Sequence, residues 1–221
     1  MSTTTTDSAP ARSRTRFQPS RLAGIAFVGA FIATSALLVL GTPSIYGTTE
    51  EEYVAWYADH GMNVVGVAAF IAAPLTGLLL VWVAAHLRSA LVAAGGSTTA
   101  GTVGVLGAAV MAAGLTIGAA AAESGVAVGL GTDLVAADPL AAVSLLHFAD
   151  AAVFTTQWGG AALVLATAIG ARGTGLLPGW LLWVGAVITP LLVLSWIFAM
   201  VPTMVFVVWI ATVAFLVKTG R

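Results

Sequence analysis

The sequence predicts an all-α, polytopic six-helix transmembrane bundle, and three observations carry that expectation. Of the 221 residues, 59% are hydrophobic and only 8% are Asp, Glu, Lys or Arg, too apolar and too poor in charge for a water-soluble domain. The apolar residues gather into runs able to cross a hydrocarbon layer about 30 Å thick, which takes roughly 20 helical residues. The charges then sort by connection. Arg12, Arg14, Arg16 and Arg21 precede the first run, Arg88 follows the second, Arg172 follows the fourth, and Lys218 and Arg221 close the chain. Glu50, Glu51, Glu52, Asp59, Glu123, Asp133, Asp138 and Asp150 lie in or beside the intervening connections. Six crossings with both termini on the basic side account for this pattern, and the excess of arginine makes that side cytoplasmic.

Residues 1–20, rich in Thr, Ser and Arg, carry too little apolar surface to offset the entropy of ordering and read as a disordered basic cytoplasmic tail. Residues 21–221 then form a single six-span domain. Span 1 is Leu22 to Leu40; it is longer than a signal-peptide core, and Gly41-Thr42-Pro43-Ser44-Ile45-Tyr46 lacks a convincing small-x-small cleavage site. In the following loop, Thr49 and Glu52 have the spacing of a capping box, so a short amphipathic outer helix is expected there. Tyr53, Trp56, Tyr57 and His60 would form its membrane-facing stripe. Glu50, Glu51 and Glu52 suit the first turn of that helix better than a cation site.

Span 2 runs from about Asn63 to Leu87, with a kink expected near Pro74, whose ring and missing N–H disturb a helix interior. Arg88 and Gly95-Gly96-Ser97 turn the chain. Span 3, Ala100 to Ala122, places Gly107, Gly114 and Gly118 on one face, where another helix of the same monomer can approach closely. Span 4 lies within Leu140 to Gly170, a stretch of about 46 Å as a helix, so its first third must stand outside the core or lie along its surface. The charge-free stretch after Gly173 is divided into span 5, Leu177 to Ala199, and span 6, Thr203 to Val217, with the turn around Met200 to Pro202. Trp180 and Trp183 near one end of span 5, and Trp196 near the other, suit two interfacial belts.

Candidate chemistry is sparse. An outer-face polar cluster of His147, Asp150, Asp59, His60 and Glu123 would be able to bind a metal or relay a proton. Ser144, His147, Asp150, Phe154 and Gln157 recur at three- and four-residue steps, making Gln157 and Ser144 candidates for the bundle interior. Gln157 reaches deepest, about 22 Å from Arg172, whereas Asp150 lies about 33 Å away at the outer boundary. No ionisable group stands near the midplane, where one would mark an ion path. The chain has no cysteine, which excludes disulfides, thiol catalysis and cysteine-ligated metals. H-E-x-x-H, G-x-S-x-G and P-loop motifs are absent, no catalytic residue is assigned, and no cofactor is expected. His60 and His147 suit polar anchors better than haem ligands, and Lys218, the single lysine, sits too near the terminus for a retinal linkage. No basic footprint for nucleic acid exists.

The segment Gly175-Leu176-Leu177-Pro178-Gly179-Trp180-Leu181-Leu182-Trp183-Val184-Gly185 resembles a recurrent element of small six-pass bacterial membrane proteins, many actinobacterial, grouped as domains of unknown function. Leu146-His147-Phe148-Ala149-Asp150-Ala151-Ala152 and the acidic-aromatic first outer loop are similar to that group too. The resemblance spans roughly Arg21 to Val217 and implies the six-helix fold without implying an activity.

Three functions are consistent with these residues. The first is a non-enzymatic accessory or sensing component of the bacterial cytoplasmic membrane, with its polar face outward and a membrane-protein partner. The second is a transporter or channel for a small neutral or apolar compound, using Pro74, Pro190, Thr76 and Gln157. The third is an enzyme or metal site at the outer face.

Overall fold

Each apolar run becomes a helix because a backbone in hydrocarbon must satisfy its hydrogen bonds within the segment. The computed structural model describes residues 19–42, 49, 51–52, 55–56, 63–131, 138–198 and 201–217. The N-terminal tail up to residue 18, Tyr53, Tyr57, Asp59, His60, Asp133, Met200, Lys218 and Arg221 lie outside the described residues.

Six principal helices follow in order. They are α1 (Pro19–Gly41), α2 (Asn63–Val67, continuing through Ala68–Ala72 and Ala73–Ala93), α3 (Thr98–Leu130), α4 (Pro139–Gly170), α5 (Gly179–Val193) and α6 (Val201–Leu216). A single turn, Ser195–Phe198, stands between α5 and α6. The first four contain apolar stretches long enough to cross a membrane; α5 and α6, with 15 and 16 residues, are shorter.

Local chemistry sets several ends. The Ser97 hydroxyl accepts from Ala100 N at the start of α3, and the Asp138 carboxylate accepts from Ala141 N at the start of α4, where Pro139 occupies the first turn. Gly131, at φ 75°, stops α3 in a backbone conformation that a side chain would strain. In the connection after α1 the Thr49–Glu52 box is formed reciprocally: Thr49 N donates to Glu52 Oε2 at 2.8 Å, and Glu52 N donates to Thr49 Oγ1 at 3.3 Å.

Near Pro74, where a kink was expected, a π turn, Ala68–Ala72, ends two residues before the proline. Ala73 N reaches back five residues to Ala68 O, widening the helix just where the proline ring would collide with the preceding turn.

Two expected boundaries move. Helix α3 continues to Leu130 instead of ending at Ala122, so Glu123 is a helical residue and not a loop residue. Bilayer thickness suggested the shorter span, but Gly125 and Val126 keep packing against Ala142 and Leu146 of α4. At roughly 50 Å each, α3 and α4 outrun a hydrocarbon core of about 30 Å. The first third of α4 continues the same run of helix, packed on α3. The second change is in span 5, where helical geometry breaks at Leu194, four residues after Pro190, and Ser195–Phe198 forms a separate turn.

Contacts at glycines fix the topology. Gly41 meets Val65, Gly101 meets Arg88, Gly118 meets Ala149 and Val153, Gly170 meets Leu91 and Ala100, and Gly24 meets Ala214. Successive helices are consequently antiparallel, with Arg21, Arg88 and Arg172 at one end. Glu123, Asp138 and Asp150 lie toward the other, where Trp56 also packs against an apolar cluster that includes Val65, Val126 and Leu146.

The tightest interface is α3 against α4. A Cβ at Gly107 would stand 2.5 Å from Gly159 O, one at Gly159 would stand 2.5 Å from Gly107 O, and one at Gly114 would fall on the Thr156 side chain. All three glycines singled out on span 3 thus face α4 within the monomer. The larger interior cluster draws on all six helices, with Phe27, Leu80, Met111, Leu192, Phe206 and Trp209 buried. Trp209 Nε1 donates to Leu181 O at 3.1 Å, and Gly185 leaves room for its ring. Leu78, Leu106, Ile169 and Val208 face outward, as lipid contact requires.

Candidate functional site

Polar side chains inside such a bundle are the places to look for function, because each needs a hydrogen-bond partner that lipid cannot supply. The buried polar residues among those described are Thr34, Thr76, Thr156, Gln157, Thr167, Ser195 and Thr203. All but Thr167 stand at one level.

The contacts show this step by step. Thr34 Oγ1 and Thr76 Oγ1 lie 2.9 Å apart, joining α1 to α2. Gly77, the next residue, meets Ala112 of α3, whose neighbour Met111 approaches Gly160 of α4. Gly160 also faces Leu192 of α5 and Phe206 of α6. Gln157, Ser195 and Thr203 are three residues away from Gly160, Leu192 and Phe206, about one turn, and in each case the step leads toward the acidic end. Around α4, Gln157 is within about 20° of Val164 and about 60° of Gly160. Val164 meets Gly185 of α5, so Gln157 projects toward α5 and α6 and away from the glycine seam.

The two halves of this level are satisfied differently. Thr34 Oγ1 is 2.8 Å from Ala30 O and Thr76 Oγ1 is 2.7 Å from Ala72 O. With one proton each, one threonine donates across the interface while the other donates to its own helix. Thr156 donates to Val153 O at 2.7 Å. Gln157, 1% exposed, has no partner among the described residues for either Nε2 or Oε1, and Thr203, 2% exposed, has none for Oγ1. An unpaired buried polar group costs about 1–3 kcal/mol. Gln157 offers two donors and an acceptor, and Thr203 a hydroxyl able to act as either. Each has the chemistry to hydrogen-bond a small molecule that carries both donor and acceptor atoms.

At the acidic end, His147 is exposed and Asp150 and Glu123 are half-buried; Asp59 and His60 lie outside the described residues. No group of three or more His, Asp or Glu among the described residues is placed to hold a metal ion. Ser144 is exposed and does not enter the interior. The steps of three, three, four and three residues from Ser144 to Gln157 accumulate about 140° of drift around a helix, so the sequence stripe winds from the surface into the core. His86 is held on its own helix at the arginine end, with Nδ1 3.1 Å from Trp82 O.

Thr34, Ser195 and Thr203 are site residues that sequence reasoning passed over. The available signal was that hydroxyls are the principal polar side chains in the charge-free α5–α6 region. That signal alone does not discriminate, because Thr189 and Thr212 bond Gly185 O and Val208 O of their own helices and need no partner elsewhere. No protein-family model, curated protein or solved structure matches the chain.

Proposed function

We propose that this is a six-pass protein of the bacterial cytoplasmic membrane, both termini inside, that carries or conducts a small neutral hydrogen-bonding molecule through the level of Gln157. The observation that supports it is the completely unpaired amide of a glutamine that is only 1% exposed. Neutrality follows from the absence of ionisable side chains at that level among the described residues, since an ion there would lack a counter-charge. Hydrogen-bonding capacity follows from the unmet donors and acceptors, which an apolar guest would leave unmet. The π turn beside Pro74, a backbone irregularity of the kind frequent at functional sites, adds support. The six-pass bacterial resemblance and the three arginines at one end support the membrane and the orientation.

The test is stopped-flow light scattering on proteoliposomes, with urea and glycerol as the probes. Wild-type protein should accelerate the equilibration of at least one of them over protein-free vesicles, and Gln157→Leu should return it to the protein-free rate. Equal rates for wild type and empty vesicles with both solutes would overturn the reading.

The accessory or sensing role is a second reading, favoured by a different observation. The α3–α4 hairpin extends roughly 20 Å beyond a hydrocarbon core of about 30 Å and offers a rigid surface to a partner. This reading requires a stoichiometric membrane-protein partner after mild detergent extraction; repeated isolation of the chain alone would count against it.

A further inference from the structure

At the arginine end, the last turns of α4 and the first turns of α5 enclose a groove of about 350 Å³ between Leu165, Ile169, Leu182 and Trp183, with Arg172 at its rim. We infer that this groove is a binding site for one anionic phospholipid, its acyl chain against the apolar walls and its phosphate on the Arg172 guanidinium.

Charge complementarity decides the occupant. Arg172 is exposed and joins Arg21 and Arg88 at this end, while every described acid lies toward the other. Its positive charge thus has no carboxylate within reach among the described residues, whereas anionic headgroups are concentrated at a cytoplasmic leaflet. An arginine beside a groove also offers a planar fork of donors that matches phosphate oxygens. The walls exclude a free phosphate as the natural guest, since Leu165, Ile169 and Leu182 contribute only hydrocarbon. Trp183, 75% exposed, and Trp180, also exposed, lie in the first turns of α5 beside the groove, and indole rings favour headgroup depth. The two-part character of the groove, apolar along its length and cationic at its rim, is that of a lipid.

The experiment is native mass spectrometry of the full chain, released from nanodiscs of phosphatidylcholine containing phosphatidylglycerol, with retained lipid counted by class. Wild-type protein should retain one phosphatidylglycerol in preference to phosphatidylcholine. Arg172→Gln should reduce that preference about fivefold, the factor matching one surface cation against an anionic leaflet. Arg21→Gln, an exposed arginine at the same end that does not line the groove, should change it by less than about twofold. Ile169→Trp, which fills the groove and keeps the charge, should lower retention of the lipid without removing the arginine. Equal losses in the Arg172 and Arg21 variants would overturn the proposal, because general surface charge would then explain the preference. So would unchanged retention in both Arg172→Gln and Ile169→Trp, or displacement of the lipid by inorganic phosphate alone.

Discussion

Helix α4 has two packed sides that were built by opposite rules. On the α3 side, Gly159 and Thr156 meet Gly107 and Gly114 so closely that there is no space for another side-chain atom. Toward α5 and α6, a Cβ at Gly160 would stand 3.7 Å from Leu192 and 3.8 Å from Phe206, an ordinary van der Waals separation, and the same side carries an amide with no partner among the described residues. The first side is specified by shape and the second leaves hydrogen-bonding capacity unused. Packing in a membrane gains little from hydrophobicity, because lipid is as apolar as a helix, so a close seam must supply the cohesion that permits an unpaired amide elsewhere.

Breaking the seam should have the largest effect. Gly159→Leu drives a side chain into the Gly107 carbonyl and the α3 backbone, with no flexible neighbour to yield. Monodisperse protein should be lost in fluorescence-detected size exclusion, and a wild-type elution profile would show that the seam is not rigid. Filling the other side should act in the opposite direction. Gln157→Leu removes the unpaired amide at nearly constant shape and should stabilise the purified protein by about 1–3 kcal/mol, raising its melting temperature, even as solute flux is lost. A lower melting temperature would mean that the amide is already satisfied within the protein.

Smaller changes sharpen the contrast. Thr34→Val deletes the one described interhelical hydroxyl pair and should cost about 0.6 kcal/mol, the mean for such bonds in a membrane. A double-mutant cycle with Thr76→Val should recover that coupling; zero coupling would assign both hydroxyls to their own carbonyls. Ser144→Ala, on the exposed face, should change stability by less than about 0.5 kcal/mol and leave flux intact. Loss of flux there would carry the site outward along the stripe.

How much of this was legible depended on whether the signal was one-dimensional. The capping box at Thr49 and Glu52, the disturbance at Pro74 and the glycine face of α3 were visible because each arises from spacing within one segment. The end of α3 was not, because its length is set by the extension of α4 against which it packs, a contact between residues distant in sequence. Gln157 was visible as the deepest polar residue, but its pairing state was hidden. Thr203 drew no notice because an isolated threonine in an apolar run is usually bonded to its own helix.

Composition and charge order alone determined that the chain is a bundle of membrane-crossing helices with its described arginines at one end, because runs of about 20 apolar residues satisfy their backbone in hydrocarbon only as helices and charges are left to the connections. Tertiary structure decided which polar atoms meet and which do not. Thr34 finds Thr76, while Gln157 and Thr203 find no partner, and that difference rests on the rotation and depth of six rods against one another, quantities fixed by side-chain packing between residues far apart in the chain.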